Sequence, residues 1–407
     1  MALSNPYRPG AGHRPPYLAG REREKAEFER LLDQDVILEN MVLTGLRGVG
    51  KTVLSEEFRP MASKNGWIWA GSDLSETVSV SEDNLALRIL TDISVFTSSI
   101  VVEEHQRPIV GFTSFPEKVS VKLGFDVLKQ IYENIPGLTS DKLKGVLEFV
   151  YSFLPAERNR IIFAYDEAQN LSDNAAKDQY PLSVLLDVFQ SIQRKNIPFM
   201  LVLVGLPTLF PKLVEARTYA ERMFRVVFLD QLDADSSKKA IVKPLESSEY
   251  PIKPTDESIL LICDVSGGYP YFIQFICREI FDIWIQNDKA SIPIDDIVVK
   301  LDTDFFAGRW ARVSDRQREL LCVIAKLNNS DSEFSVQDIV SESQSLSKPF
   351  GSSHVNQMLS KLAERGLIYK NRHGKYSFAV PLFGRFLRRQ EEFMQEVYPS
   401  KPPGRLF

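Results

Sequence analysis

Two clusters of residues in this chain have the types and spacing needed to handle phosphate. The first is Gly45-Leu46-Arg47-Gly48-Val49-Gly50-Lys51-Thr52, which is Gly, four free positions, Gly, Lys and Thr without a mismatch. Its glycines permit backbone angles that a side chain forbids, so that successive amide N–H groups can point at one anion. Asn40 to Thr44 reads as a short buried strand before the loop, and Thr52 to Phe58 shows helical spacing after it. The positive end of that helix adds to the field at the loop. Lys51 is expected to reach the outer phosphates, and the Thr52 hydroxyl to ligate Mg²⁺. A chance glycine turn is the alternative, and the strand–loop–helix setting favours the phosphate loop over it. The residues predict a nucleoside triphosphate and Mg²⁺.

The second cluster closes the apolar run Arg160-Ile161-Ile162-Phe163-Ala164-Tyr165 with Asp166-Glu167. Such a run reads as a buried parallel strand, and ligands of open parallel sheets bind at the C-terminal ends of their strands. Asp166 is expected to hold Mg²⁺, through water or through Thr52. Glu167 is expected to orient the attacking water and partly deprotonate it. A charge pair at a helix N-terminus would use the same two residues. The phosphate loop about 115 residues upstream favours the catalytic reading.

Bulk properties bound the rest. The 407 residues are too many for one core and predict two or three domains. Apolar residues at 44% and charged residues at 25% are ordinary for a soluble globular chain. The net charge of −5 hides an asymmetry, for residues 345–407 carry net +7 and the remainder net −12. A basic C-terminal module follows. Cys263, Cys277 and Cys322 are odd in number and scattered, and read as core residues in a reducing compartment. The four histidines lack metal-ligand spacing. No apolar leader and no run near the roughly 20 residues of a membrane span is present, so a cytoplasmic protein with no membrane partner is expected.

These clusters need elements to position them. Residues 1–16, rich in Pro and Gly, predict an extended arm, followed by Gly20-Arg21-Glu22 and a helix to Leu32. Trp67 to Ala70 and Phe199 to Gly205 read as further strands, and Val226 to Leu229 as another. Helices are predicted near 84–96, 128–135, 139–154 and 181–195, and residues 104–124 as an inserted hairpin or an excursion. From Asp233 the strands stop and helices follow at 236–243, 256–265 and 270–285. Val313 to Arg389 reads as a winged helix-turn-helix, with helices at 316–327, 335–343 and 352–365 and a hairpin turning at Asn371-Arg372-His373-Gly374. Ser353, His354, Asn356, Gln357, Ser360 and Lys361 form the polar face of its second helix, with types that read base edges. Lys348, Arg372 and Lys375 are suited to phosphates, though a solvated face or a protein contact satisfies the same residues.

Taken in order, the Gly-Arg-Glu turn, the phosphate loop, the strand ending in Asp166-Glu167, Gly205-Leu206-Pro207 after the next strand, the helices and the wing resemble AAA+ ATPases of the origin-recognition-like and STAND branches, including the archaeal-type ATPases. The resemblance covers nearly the whole chain. It implies an α/β fold with a P-loop AAA+ core of parallel sheet and flanking helices, an α-helical lid and a C-terminal winged helix-turn-helix. The implied boundaries are an arm at 1–19, core at 20–232, lid at 233–307, winged helix at 308–398 and tail at 399–407. It implies ATP as the nucleotide, with Arg21 and Pro270 near the adenine, and ATPase activity.

Arg222, ahead of Arg217 and Arg225, stands where a neighbouring subunit's arginine finger reaches the terminal phosphate, which implies a homo-oligomer; a solvated helix-end arginine fits as well. The chain departs from the pattern twice. Tyr271 stands where a nucleotide-sensing arginine is usual, and after the Phe199–Gly205 strand only Thr208 offers a polar side chain, which a helix cap would also explain. Two functions follow. One is an ATPase acting on double-stranded DNA through residues 345–389. The other is a nucleotide switch or scaffold that recruits a protein partner, in defence or mobile-element biology.

Overall fold

The computed structural model describes residues 4–10, 12–107, 117–246, 253–286, 293–372 and 374–397. It divides into a sheet unit, Arg21–Gly45 with Lys51–Leu229, and a helical unit, Met1–Gly20 with Leu46–Gly50 and Asp230–Phe407. Each has its own apolar core.

The sheet unit opens with α1 (Glu22–Leu32), β1 (Asn40–Gly45), α2 (Lys51–Lys64), β2 (Trp67–Ala70) and α3 (Glu82–Thr97). The segment expected as a hairpin or excursion contains the antiparallel pair β3 (Val101–Arg107) and β4 (Glu117–Lys122); residues 108–116 lie outside the described residues. Then come α4 (Phe125–Asn134), α5 (Thr139–Phe153), β5 (Arg160–Tyr165), α6 (Pro181–Gln193), β6 (Phe199–Gly205), α7 (Leu209–Ala216), α8 (Ala220–Met223) and β7 (Phe224–Leu229).

Five strands form a parallel sheet in the order β2-β5-β6-β1-β7. All six positions of β1 and all seven of β6 are buried, so both faces of the sheet centre are covered. This is why their sequences are continuous apolar runs rather than alternating ones. Fully burying one such Val, Leu or Phe is worth about 1.5–3 kcal/mol. One buried amide interrupts the apolar pattern. Asn40 accepts from Leu201 N at 2.7 Å and Gln193 Nε2 at 2.8 Å, and donates to Met223 O at 3.2 Å. It thereby ties β1 to β6 and to the end of α8 that leads into β7.

The helical unit holds α9 (Ala234–Glu246), α10 (Asp256–Ser266), α11 (Pro270–Gln286), α12 (Ile294–Leu301), a wider turn over Asp302–Ala307, α13 (Gly308–Trp310) and α14 (Asp315–Lys326). Among the described N-terminal residues, 4–10 and 12–20 carry no regular element and are anchored within this unit. The Tyr7 ring is buried and its hydroxyl donates to Ile241 O at 2.5 Å. Phe272, Ile273, Ile276 and Phe281 of α11 are fully or nearly fully buried.

Beyond α14 the order is β8 (Phe334–Ser335), α15 (Val336–Glu342), α16 (Ser352–Glu364), β9 (Ile368–Arg372), β10 (Lys375–Phe378) and α17 (Phe383–Val397). The strands make an antiparallel sheet in the order β8-β10-β9. Ser335 caps α15 reciprocally with Asp338, at 3.2 and 2.8 Å. Val355, Met358, Leu359 and Leu362 of α16 face inward. The two-residue β8 and the long α17 extend what the sequence pattern predicts. Arg389 locks α17 to Asp302 through a bidentate ion pair.

Candidate functional site

The phosphate loop leaves β1 at Gly45, and α2 begins at Lys51. Gly48 and Gly50 adopt φ of +80° and +90°, angles that side chains rarely tolerate. The Lys51 ammonium rests on Gly45 O at 3.0 Å, at the root of the loop.

Next to it, the Thr52 hydroxyl donates to Asp166 Oδ2 at 2.6 Å, joining residues 114 positions apart. Parallel pairing brings them together: β5 and β1 flank β6, so their C-terminal ends lie on one side of the sheet. Asp166 Oδ1 also accepts from Glu167 N at 2.7 Å. Burial raises the Asp166 pKa above the usual carboxylate value, and the bonds from Thr52 and Glu167 N pull it partly back. Thr52 and Asp166 offer hard oxygen donors of the type Mg²⁺ takes alongside phosphate oxygens and water. Among the described residues no group of three or more His, Cys, Asp or Glu is placed to hold a metal ion.

Glu167 is exposed and has φ of +52°, an uncommon angle for a residue other than glycine. The left-handed turn carries the chain from β5 into a short turn of helix at Ala168–Asn170. Within that turn Gln169 donates its amide N–H to Glu167 Oε2, and Gln169 Oε1 accepts from Leu206 N at 3.0 Å. Gln169 O in turn accepts from Lys212 Nζ at 2.8 Å. A polar group therefore does sit at the end of β6, supplied from the loop after β5. Sequence reading missed it because β6 itself ends in Gly205-Leu206-Pro207. The one available signal was a polar residue two positions after Glu167. Thr208 makes no capping bond with its side chain.

The remaining predicted residues are placed separately. Arg21 immediately precedes α1 and is 4% exposed, with its guanidinium 3.6 Å from Glu24; it is not a plain solvent residue. Pro270 begins α11 in the helical unit, and its neighbour Tyr271 donates N–H to Gly48 O at 3.2 Å. Arg217 is committed to Asp187, and Arg225 to Glu27 at 2.8 Å. Arg222 is exposed on α8, and its side chain has no partner among the described residues. On α16, Ser353, His354, Asn356, Gln357, Ser360 and Lys361 are all exposed, as is Lys348 before it. Arg372 ends β9, and His373 lies outside the described residues. Of the three cysteines, none of them in a disulfide, only Cys277 is buried. Among the described residues no helix is long and apolar enough to cross a membrane.

A domain family of unknown function (DUF8462) matches residues 303–387. A comparison with curated proteins finds no match. Among solved structures, the chain is similar to a Walker-type ATPase of Pyrococcus abyssi, with a TM-score of 0.58, 17% identity and coverage of 92% of this chain and 97% of the other. It is also similar to the ORC2 protein of Aeropyrum pernix in ADPNP–ADP complexes, with a TM-score of 0.55, 15% identity and coverage of 96% and 98%. The ADP form of that protein gives 0.55, 16%, 96% and 98%. At these identities the likeness establishes the fold alone, and the chain has the fold that these Walker-type ATPase and ORC2 structures show.

Proposed function

We propose that the chain is a Mg²⁺-dependent ATPase that couples its nucleotide state to double-stranded DNA through a winged helix-turn-helix at 308–398. The observation that carries the reading is the Thr52–Asp166 hydrogen bond beside the glycine loop. It supports the reading in which Asp166 and Thr52, the residue that closes the Gly45–Thr52 motif, supply the oxygens for the metal. Gly45 to Thr52 bind the phosphates by their N–H groups, and Lys51 balances the charge of the outer ones. Thr52 and Asp166 would hold Mg²⁺, which when bound supplies neutralisation of phosphate charge. Glu167 orients the attacking water and accepts its proton, and Gln169 fixes the carboxylate that does so. Arg21 and Pro270 serve the adenine end in the same proposal, Arg222 serves a neighbouring protomer, and the core (20–232) and lid (233–307) are the parts that hold the nucleotide.

DNA contact is supported by the wholly exposed polar face of α16 and by the net +7 of residues 345–407. Three cysteines without a disulfide suit a reducing, cytoplasmic setting. The test is ATP turnover with and without a duplex. Lys51→Ala is expected to abolish tight nucleotide binding. Glu167→Gln is expected to keep binding and suppress hydrolysis, and unchanged turnover in that variant removes Glu167 from its role.

One observation favours the second reading, a nucleotide switch that recruits a protein partner. Tyr271 has no cation to offer a terminal phosphate, and its backbone is bonded to Gly48. Turnover indifferent to DNA would support that version.

A further inference from the structure

The helical unit carries a half-open cavity of about 580 Å³ whose walls include Arg47, Asp304, Phe305, Arg309, Arg312 and Arg365. Four guanidinium groups thus share one space with a single carboxylate. None of the four forms an ion pair among the described residues, although Arg316 and Arg318, close to Arg312 in the sequence, pair with Glu319 and Asp315. Two of the arginines are braced by uncharged groups instead. Arg309 donates to Phe305 O and lies 4.4 Å over the Phe305 ring. Arg365 donates to Arg312 O at 2.6 Å and to Gln317 Oε1 at 3.0 Å. Arg47 and Arg312 are exposed and make no such bond among the described residues. Burial and the neighbouring Arg47 push the Arg309 pKa below the usual arginine value.

Four like charges held together with one counter-charge cost free energy, and the bonds to Phe305, Arg312 and Gln317 hold Arg309 and Arg365 in place. An anion recovers that cost. The guanidinium fork matches phosphate oxygens in pairs, and arginine is the side chain suited to that recognition. Net +3 on the lining exceeds what one carboxylate ligand satisfies, and the volume exceeds one phosphate group. We propose that this cavity binds a chain of phosphates, either a free polyphosphate or successive phosphodiesters of a nucleic acid strand, with Arg309 and Arg365 as fixed walls and Arg47 and Arg312 as mobile clamps. The site needs neither Lys51 nor Glu167, so it stands or falls apart from the ATPase reading. Since Arg47 belongs to the phosphate loop and its side chain lines the cavity, occupancy of the cavity engages the loop through that side chain.

The test uses the full-length Lys51→Ala protein, in which binding by the phosphate loop is disabled. Inorganic tripolyphosphate is titrated by calorimetry, and a fluorescent 20-bp duplex by anisotropy, at fixed salt. Arg312→Ala and Arg312→Glu are then introduced; the position is exposed, and a melting curve checks each fold. Binding of tripolyphosphate that weakens at least ten-fold in Arg312→Ala, and further in Arg312→Glu, establishes a free polyphosphate site. Duplex binding weakened in that order, with tripolyphosphate unbound, assigns the site to nucleic acid. If neither ligand loses more than about three-fold in Arg312→Glu, the inference is overturned.

Discussion

Gln169 donates to the carboxylate of Glu167 while its own carbonyl oxygen holds Leu206 N at 3.0 Å, so one side chain ties the acid after β5 to the end of β6. The carboxylate is exposed and would otherwise rotate freely. A hydrogen bond to a charged group is worth about 1.5–3 kcal/mol. Gln169→Ala is therefore expected to lower kcat by about 10- to 100-fold. Nucleotide affinity should stay within about two-fold, because the bonds of the Gln169 side chain run to Glu167 and Leu206 rather than to the phosphate loop. Steady-state turnover together with equilibrium binding of a fluorescent ATP analogue separates the two. Equal losses in kcat and in affinity would show that Gln169 merely supports the loop.

Removing the metal tests the Thr52–Asp166 pair. Asp166→Asn keeps a side chain that can still accept from Thr52 but loses the charge that favours a divalent cation. Wild-type affinity for ATP is expected to fall about 10- to 100-fold when EDTA replaces Mg²⁺, a loss typical of a disturbed metal ligand. The variant in Mg²⁺ should match the wild type in EDTA, and adding EDTA to the variant should change little. A variant that still responds fully to Mg²⁺ removes Asp166 as a ligand.

Arg217 and Arg222 lie five positions apart yet have opposite situations. Arg217 holds both Asp187 oxygens, at 2.9 and 2.7 Å, and Tyr219 adds a third bond at 2.7 Å. Arg222 holds nothing among the described residues. Arg222→Ala should leave the melting temperature unchanged and lower turnover at protein concentrations where ATP increases the particle mass. Arg217→Ala should act on stability instead.

The Asp187 cluster also gives a pH dependence. Burial works to raise the Asp187 pKa, but the Arg217 and Tyr219 bonds outweigh it and hold the carboxyl below the usual value. A depressed folded pKa contributes stability that is complete above the unfolded value of about 3.9 and is lost as pH falls through the folded pKa. The cluster is about a third exposed, so solvent screening limits its worth to about 0.5–1 kcal/mol. Asp187→Asn should lower the melting temperature by about 1–4 °C at pH 7, and the gap should close as pH falls through the depressed Asp187 pKa. A gap that is constant with pH would mean that packing, not charge, holds the cluster.

The sequence made the phosphate loop and the acid pair legible because their chemistry demands fixed residue types at fixed spacing. The central strands were legible because burial on both faces leaves long apolar runs, as in Phe199 to Val204. Gln169 was not, since its role depends on which strand neighbours β5, and strand order is a property of the folded sheet. The arginine cavity was hidden likewise: Arg47, Arg309 and Arg365 are far apart in the chain and meet only in the helical unit. Phe334-Ser335 pairs with β10 over just two residues, too short for any alternation to register. Arg21 could not be read as buried, because nothing in Gly20-Arg21-Glu22 announces that the guanidinium is covered.

The exposed face of α16 allows phosphate binding and base reading to be measured apart. Lys348 and Lys361 are cations suited to phosphates, whereas Asn356 and Gln357 carry amides that can pair with adenine edges. Each cation withdrawn from the phosphate backbone should reduce the slope of log affinity against log salt by about 0.9. The double variant Lys348→Ala and Lys361→Ala is thus expected to flatten the slope by about two, with equal effect on every duplex sequence. Asn356→Ala with Gln357→Ala should leave the slope alone and cost about 1–3 kcal/mol on a preferred duplex only. Both pairs are exposed, so their replacement does not disturb the core formed by Val355, Met358 and Leu359. A salt slope untouched by removing both lysines would assign this face to a protein partner, and the nucleotide would then be controlling recruitment rather than DNA.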